Sequence, residues 1–230
     1  GIYFADQDLF MSYDDPQLLS LKDFVSAKYH SGHYFDNAAY DAEDKYMDIP
    51  TPMCDSVLLY QEMPLDVIES TYASIGRLLY EINEMDTWQY QLFLLGVAGT
   101  GKSLFGHLIE MFYNREDTGS LSNETEKNFP LQHLVECLLY IAWDVGKNFQ
   151  LSRYVWQNIV SGEDTAVRIK NKTAKSGLWT IPGVMIGNEL PNWSDQCGSV
   201  GRRMVVLHFP KIVKKADSDP LLQKKMKEES

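Results

Sequence analysis

Apolar positions recur with two distinct periods along this chain, and the change of period divides it. Over residues 64–83 the positions Val67, Ile68, Tyr72, Ile75, Leu78, Leu79 and Ile82 fall at three- and four-residue steps, which predicts an amphipathic helix with Pro64 near its start. Residues 91–96 form a short apolar run, a glycine-rich loop interrupts it, and residues 104–112 return to helical spacing, so this stretch reads strand, loop, helix. Further buried strands are predicted near Ser120 and over residues 138–143, 184–187 and 204–209. Strands alternating with helices predict an α/β fold with a central, largely parallel sheet. Residues 1–62 show no sustained period and carry Pro16, Pro50 and Pro52 as breakers, which predicts a mostly helical or irregular region ahead of the sheet. The tail after Pro220, ending KKMKEES, is charged and is expected to fray.

The loop between the first strand and its helix carries the most specific chemistry. GVAGTGKS places Gly96, Gly101, Lys102 and Ser103 at the spacing G-x-x-x-x-G-K-[ST], in the strand-to-helix context that a P-loop requires. Glycines let the backbone turn so that successive N–H groups face one point, and the following helix presents its positive end there. The cradle would be Gly96, Val97, Ala98, Gly99, Thr100, Gly101, Lys102, Ser103 and Leu104, with ATP as the ligand. Lys102 would meet the β- and γ-phosphates, and the Ser103 hydroxyl would sit on Mg²⁺, a cation that prefers oxygen ligands and keeps several waters.

Such a loop does not by itself separate kinases, GTPases, helicases and motors, so the remaining strands must discriminate. In LLYIAWDV, Asp144 ends an apolar strand, where an acid can reach Mg²⁺; an acid there is also an ordinary strand-end residue of any α/β protein. In VMIGNELP, Asn188 follows a short strand and could orient a water, or could be a turn asparagine ahead of Pro191. Gly201-Arg202-Arg203 leads into MVVLHF; an arginine there could solubilise the surface, or stabilise transition-state charge on a neighbouring subunit's γ-phosphate.

Composition narrows the setting. With 230 residues and 44% hydrophobic side chains the chain can bury a core. Its longest apolar runs fall far short of the roughly 18 residues of a membrane span, so no membrane partner is expected. It begins with Gly1 and lacks a signal-peptide pattern, and reads as a piece of something longer. Cys54, Cys137 and Cys197 are odd in number and form no C-x-x-C pair, which fits neither a disulfide framework nor a zinc site and points to an intracellular, non-secreted protein. The net charge of -11 opposes wholesale binding to nucleic acid, so any polyanion contact must be local. One stretch has the right sign: Arg168, Lys170, Lys172 and Lys175 lie together with no acid among them, whereas residues 1–50 hold ten acids against three bases. Taken alone, such a stretch also reads as a solvated loop.

In order, GVAGTGKS, LLYIAWDV, SGEDTAVRIKNK, WTIPGVMIGNELPNW and GRR before an apolar strand resemble superfamily 3 helicases, in particular the poxvirus-type primase-helicases of large DNA viruses. The resemblance covers roughly residues 88–212, and Gly1-Ile2-Tyr3-Phe4 looks like a segment upstream of the ATPase in that family. It implies an AAA+-like P-loop ATPase domain over 88–212, a linker or collar-like region over 1–87 and a charged tail over 213–230. It also implies a homo-hexameric ring with Mg-ATP at subunit interfaces, single-stranded or forked DNA in the pore, other replication proteins as partners, and work at sites of viral DNA replication in the host cell. Carried over by position, Lys102 and Ser103 match the Walker A pair, Asp144 the Walker B acid, Asn188 the sensor and Arg202 or Arg203 the finger. The stretch from Arg168 to Lys175 falls where the family has a DNA-touching hairpin, which makes Arg168, Lys170, Lys172 and Lys175 candidates for phosphate contacts. One departure stands out: many members carry two neighbouring acids in Walker B, whereas here Trp143 and Val145 flank Asp144, so the base that activates water is Asp144 alone or Glu189. Two other functions stay open, a P-loop phosphotransferase and a non-hydrolysing, ATP-dependent DNA clamp or assembly module.

Overall fold

A computed structural model of the chain describes residues 2–4, 9–12, 14–20, 49–122, 131–167, 175–195 and 197–229. They fall into two compact units, Gly1–His30 and Ser31–Ser230. In the first, β1 (Ile2–Phe4) pairs antiparallel with β2 (Leu9–Met11), and the short helix α1 (Pro16–Ser20) follows.

The second unit is built on a five-stranded sheet of β3 (Gln91–Leu95), β4 (Thr118–Leu121), β5 (Leu139–Val145), β8 (Gly183–Gly187) and β9 (Met204–His208). Its order is β4-β5-β8-β3-β9 and every pair in it is parallel. All five strands fall where the sequence places them. In β3, β5 and β8 the apolar runs are nearly continuous because both faces of the inner sheet are covered, whereas the edge strands β4 and β9 keep exposed positions. Alternate residues supply two cores. Leu92 and Leu94, Leu139 and Ile141, and Val184 and Ile186 face helices α2 (Pro52–Tyr60), α3 (Leu65–Gly76) and α4 (Lys102–Met111). Phe93, Tyr140, Ala142 and Met185 point the other way, towards α5 (Arg153–Ser161), which offers Trp156, Ile159 and Val160 from one face. Ser152 caps α5 by accepting from Val155 N at 3.3 Å, and Gly162, at φ 67°, ends it.

Beyond the β1–β2 pair, which lies in a region read as helical or irregular, three features depart from the sequence reading. The helix predicted over residues 64–83 stops at Gly76 and continues only as a 3-10 turn, Arg77–Leu79. There the Arg77 guanidinium is drawn to Asp86, at 2.7 and 2.9 Å, and to the Tyr90 carbonyl, while Ile82 N donates to Thr180 O at 2.8 Å. Ile82 therefore packs with the core on the other face. The tail expected to fray instead forms α6 (Leu222–Glu229), whose Met226 is fully buried in the core beside α2 and α4. Two apolar residues four apart suffice to dock one face of an otherwise charged helix. Finally, β6 (Asp164–Val167) and β7 (Lys175–Leu178) pair antiparallel from Asp164↔Leu178 to Val167↔Lys175, a hairpin that periodicity did not predict. No helix among the described residues is long and apolar enough to cross a membrane.

Candidate functional site

The loop GVAGTGKS runs from the carboxyl end of β3 into α4. Gly99 (φ 80°) and Gly101 (φ 92°) occupy the left-handed region that side chains resist, which is what lets the loop fold back on itself. Gly96 anchors its start: its N–H donates to Gly187 O at 3.1 Å, and a Cβ there would lie 2.6 Å from Phe209 O. Thr100, fully buried, donates its hydroxyl to Val97 O at 3.0 Å. Lys102 donates Nζ to the same carbonyl at 3.2 Å and lies across the loop, while Ser103 beside it is exposed. Burial pulls the Lys102 ammonium below its usual pKa, and the negative charge of Asp144 acts in the opposite direction. Leu104 turns away and packs against the core, and Val97, Ala98 and Gly99 face solvent.

Asp144 reaches this neighbourhood although β5 and β3 are separated by β8. Between Ala142↔Met185 and Val145↔Gly187 the pairing slips, so that Trp143 and Asp144 together oppose Ile186. This is a bulge, one extra residue that re-aims a side chain at the end of a strand. Asp144 takes φ 55° and is exposed. The bulge needs a glycine opposite: a Cβ on Gly187 would sit 2.1 Å from Val145 O. Asn188 follows at once and is exposed, whereas Glu189 forms an ion pair with Lys147 at 2.9 Å. Among the described residues no cluster of three or more His, Cys, Asp or Glu is placed to hold a metal ion. Ser103 and Asp144 offer hard oxygen donors open to water, a set that fits Mg²⁺ taken with one or two protein oxygens, phosphates and several waters.

Two braces on the loop come from residues the sequence did not single out. Buried Gln61, just past α2, donates to Thr100 O at 2.9 Å and to Lys211 O at 2.8 Å, and accepts from Lys211 N at 2.8 Å. Val213 N donates to Gly99 O at 2.8 Å. The loop is thus held by segments on either side of the sheet-forming sequence. Nothing in the sequence around Gln61 marks it for this role.

The two arginines separate cleanly. Arg203 is buried and donates to Ser161 Oγ (2.9 Å), Ser199 O (3.1 Å) and Gln89 Oε1 (3.4 Å). Arg202 is exposed and its side chain meets no hydrogen-bond partner among the described residues. Asp195 shapes the turn that carries it, accepting from Val200 N and Gly201 N, each at 2.8 Å, which holds the Asp195 carboxyl below the usual carboxylate range. Of the basic stretch, Arg168, Lys170 and Lys172 lie outside the described residues; Lys175 opens β7. The hairpin strands flank the stretch on both sides.

A parallel sheet with helices on both faces and a glycine loop leading from its fourth strand in spatial order into a helix defines an α/β protein with the layout of a P-loop ATPase core. Over residues 94–203 the chain matches the model of a family described as a family of unknown function (DUF5906). Among solved structures it is similar to the apo structure of the NrS-1 C terminal region (305-718), with a TM-score of 0.58 at 13% identity, covering 79% of this chain and 44% of that one. The A form apo structure of the same region gives a TM-score of 0.59 at 13% identity, covering 78% and 43%. At such identity the likeness is one of fold, and the chain spans less than half the length of the NrS-1 region. JCV helicase superposes more loosely, with a TM-score of 0.45 at 14% identity over 76% of this chain and 49% of that one, and carries no weight here.

Proposed function

We propose that the chain is the ATPase core of a superfamily 3 DNA helicase of the poxvirus primase-helicase type, which hydrolyses Mg-ATP between subunits of a homo-hexameric ring and moves along single-stranded DNA during viral genome replication. The observation that carries this reading is the meeting of Lys102 and Asp144 at one end of the sheet, from strands separated by β8. In it the loop amides and Lys102 bind and orient the phosphates, and Asn188 holds the attacking water. Ser103 and Asp144 would hold Mg²⁺, which would supply positive charge to neutralise the phosphates. Arg202 supports the ring. It precedes the amino end of β9, whereas Lys102 follows the carboxyl end of the neighbouring parallel strand β3. Five residues of strand, at roughly 3.3 Å each, separate the two ends by about 16 Å. One arginine side chain does not span that distance, so an Arg202 that meets a phosphate site would meet another copy's. The basic stretch Arg168, Lys170, Lys172 and Lys175, which the paired strands β6 and β7 flank, would carry the DNA contacts.

The test is steady-state ATP hydrolysis at several protein concentrations, with and without single-stranded DNA, for the chain and for Lys102→Ala and Arg202→Ala. The reading expects activity that rises with concentration and with DNA and is lost in both variants. Activity indifferent to DNA, concentration and Arg202 would replace it with a phosphotransferase. A second reading, a ring that binds ATP to clamp DNA without turnover, draws on the absence of a second acid beside Asp144 and on the pairing of Glu189 with Lys147. ATP binding without hydrolysis in an assembled ring would establish it.

A further inference from the structure

Asp144 stands in the left-handed backbone region, which residues with side chains enter rarely and aspartate more readily than most, and here its surroundings hold it there. What imposes it lies on both sides in sequence. After Asp144, Val145 is pressed against Gly187, where no Cβ fits. Before it, the Trp143 indole reaches across to α4. A Cβ on Gly106 would lie 2.8 Å from the Trp143 ring and 2.3 Å from Ile186 Cδ1, so Gly106 is a notch in the middle of α4 that admits both side chains. A mid-helix glycine weakens a helix, and close approach of this ring accounts for its place here. The next residue, His107, stacks on the same indole with centroids 4.9 Å apart and planes inclined by 37°, and its Nδ1 lies 2.8 Å from Glu110 Oε2, which fixes the imidazole in turn.

The spacing gives this contact its meaning. Gly106 and His107 follow Lys102 and Ser103 by four residues, one helical turn on the same face. Trp143 therefore grips α4 one turn below the pair that the next residue, Asp144, is placed to serve. Neither side chain could shift along the helix without the other.

We propose that Trp143 is a positioning residue: keyed into the Gly106 notch and stacked on His107, it fixes the bulge and sets the Asp144 carboxylate at the height of Lys102 and Ser103. In a sequence with one acid where many members of the resembling family have two, this makes the geometry of the single acid depend on an aromatic lock. The inference rests on the reading of Asp144 as a metal-holding acid, and the experiment separates the two. The binding of ADP to the 230-residue chain is measured by calorimetry over a series of Mg²⁺ concentrations and in EDTA, for the parent and for Asp144→Ala, Trp143→Leu, Trp143→Phe and His107→Ala. Thermal melts of each variant accompany the titrations.

Asp144→Ala should abolish most of the tightening that Mg²⁺ confers. Trp143→Leu should raise the half-saturating Mg²⁺ concentration roughly tenfold, the size of effect seen when groups supporting a metal ligand are removed. Its affinity in EDTA should stay within about twofold of the parent, since the loop itself is untouched. Trp143→Phe should recover most of the loss, and His107→Ala, at an exposed position, should show a smaller shift in the same direction. If Asp144→Ala leaves Mg²⁺ dependence intact, the metal role of Asp144 falls, and the inference with it. If Asp144→Ala loses it while Trp143→Leu keeps it, the positioning role alone is overturned. Equal weakening of Trp143→Leu with and without Mg²⁺ also overturns it, because the residue would then be general scaffold. Should Trp143→Leu fail to fold, Trp143→Phe and His107→Ala decide: parent-like Mg²⁺ dependence in His107→Ala together with a shift in Trp143→Phe no larger than its change in EDTA would refute the lock.

Discussion

The two ends of the central sheet are both rich in polar side chains, yet they use them differently. At the amino end each is committed to the protein. Gln91 donates to Tyr140 Oη at 2.7 Å and accepts from Trp156 Nε1 at 2.5 Å; Arg203 holds Ser161, Ser199 and Gln89; Arg77 lies 4.6 Å over the Tyr90 ring while it grips Asp86. At the carboxyl end Ser103, Asp144 and Asn188 are exposed, and among the described residues none has a side-chain hydrogen bond. A buried polar network adds rigidity when every group is satisfied, whereas exposed groups on an over-determined backbone are arranged for something that is not part of the chain. The committed polar networks and the candidate ligand groups thus lie at opposite ends of the sheet, with exposed Arg202 as the exception at the amino end.

Arg202 and Arg203 offer the largest contrast. Arg202→Ala should lower DNA-stimulated ATP turnover by roughly 10³, the range expected for an arginine acting on a transferring phosphoryl group, with no change in melting temperature. Arg203→Ala, one residue on, should do the opposite: it should cost about 2–4 kcal/mol of stability by stripping a buried network of its donor, and leave turnover per folded molecule near that of the parent. Chemical denaturation and initial rates on the same preparations check both. A large loss of activity in a fully folded Arg203→Ala would dissolve the division between the two residues.

Gln91→Leu extends the test to the sheet interior. It removes the shared partner of Tyr140 and Trp156 and leaves two buried groups unsatisfied, which should cost about 2–3 kcal/mol. Nucleotide affinity measured well below the melting temperature should not move. Gln61→Leu belongs to the other end and should behave differently. It releases Thr100 O and both main-chain groups of Lys211 from their partner, so about 2 kcal/mol of stability should be lost together with a several-fold weaker affinity for ADP. Unchanged ADP binding in a destabilised Gln61→Leu would show that the brace supports the fold but not the loop.

The site was legible in sequence in proportion to how local its parts are. The loop from Gly96 to Ser103 is contiguous, Gly99 and Gly101 answer to its own backbone, and its strand-to-helix setting could be read from flanking periodicity. Asp144 could be found as an acid after an apolar strand, but not the bulge that turns it, because a slip of register depends on β8. Arg202 and Arg203 are indistinguishable as neighbours in sequence; the partners that bury one of them lie 42 and 114 positions away, in Ser161 and Gln89. The docked C-terminal helix was hidden by composition, since charge dominates its eight residues and only the face with Leu222 and Met226 meets the core. Gln61 had no local signature at all, because what it satisfies is main chain from two other segments.

The smallest effect expected is one of pH, and it belongs wholly to the amino end. Arg77 holds the Asp86 carboxyl below the usual carboxylate range, chiefly through its hydrogen bonds and with help from the N–H of Trp88. A carboxyl whose pKa is lowered on folding binds its proton more tightly when unfolded. Its contribution is therefore fully present above the unfolded value, near 3.9, and is lost as pH falls through the lower folded value. Asp86→Asn keeps an oxygen for Trp88 N but removes the charge, so it should melt below the parent at neutral pH, and the gap should be constant down to about pH 5 and then close as the solution is acidified. Melting curves of the two proteins between pH 7 and the lowest pH at which both still fold will show it. A gap that stays open at the acid limit would mean that the difference comes from packing around Arg77 and Tyr90. A change in turnover at neutral pH would mean that the two ends of the sheet are coupled after all, through the segment that leads from Asp86 into β3 and its glycine loop.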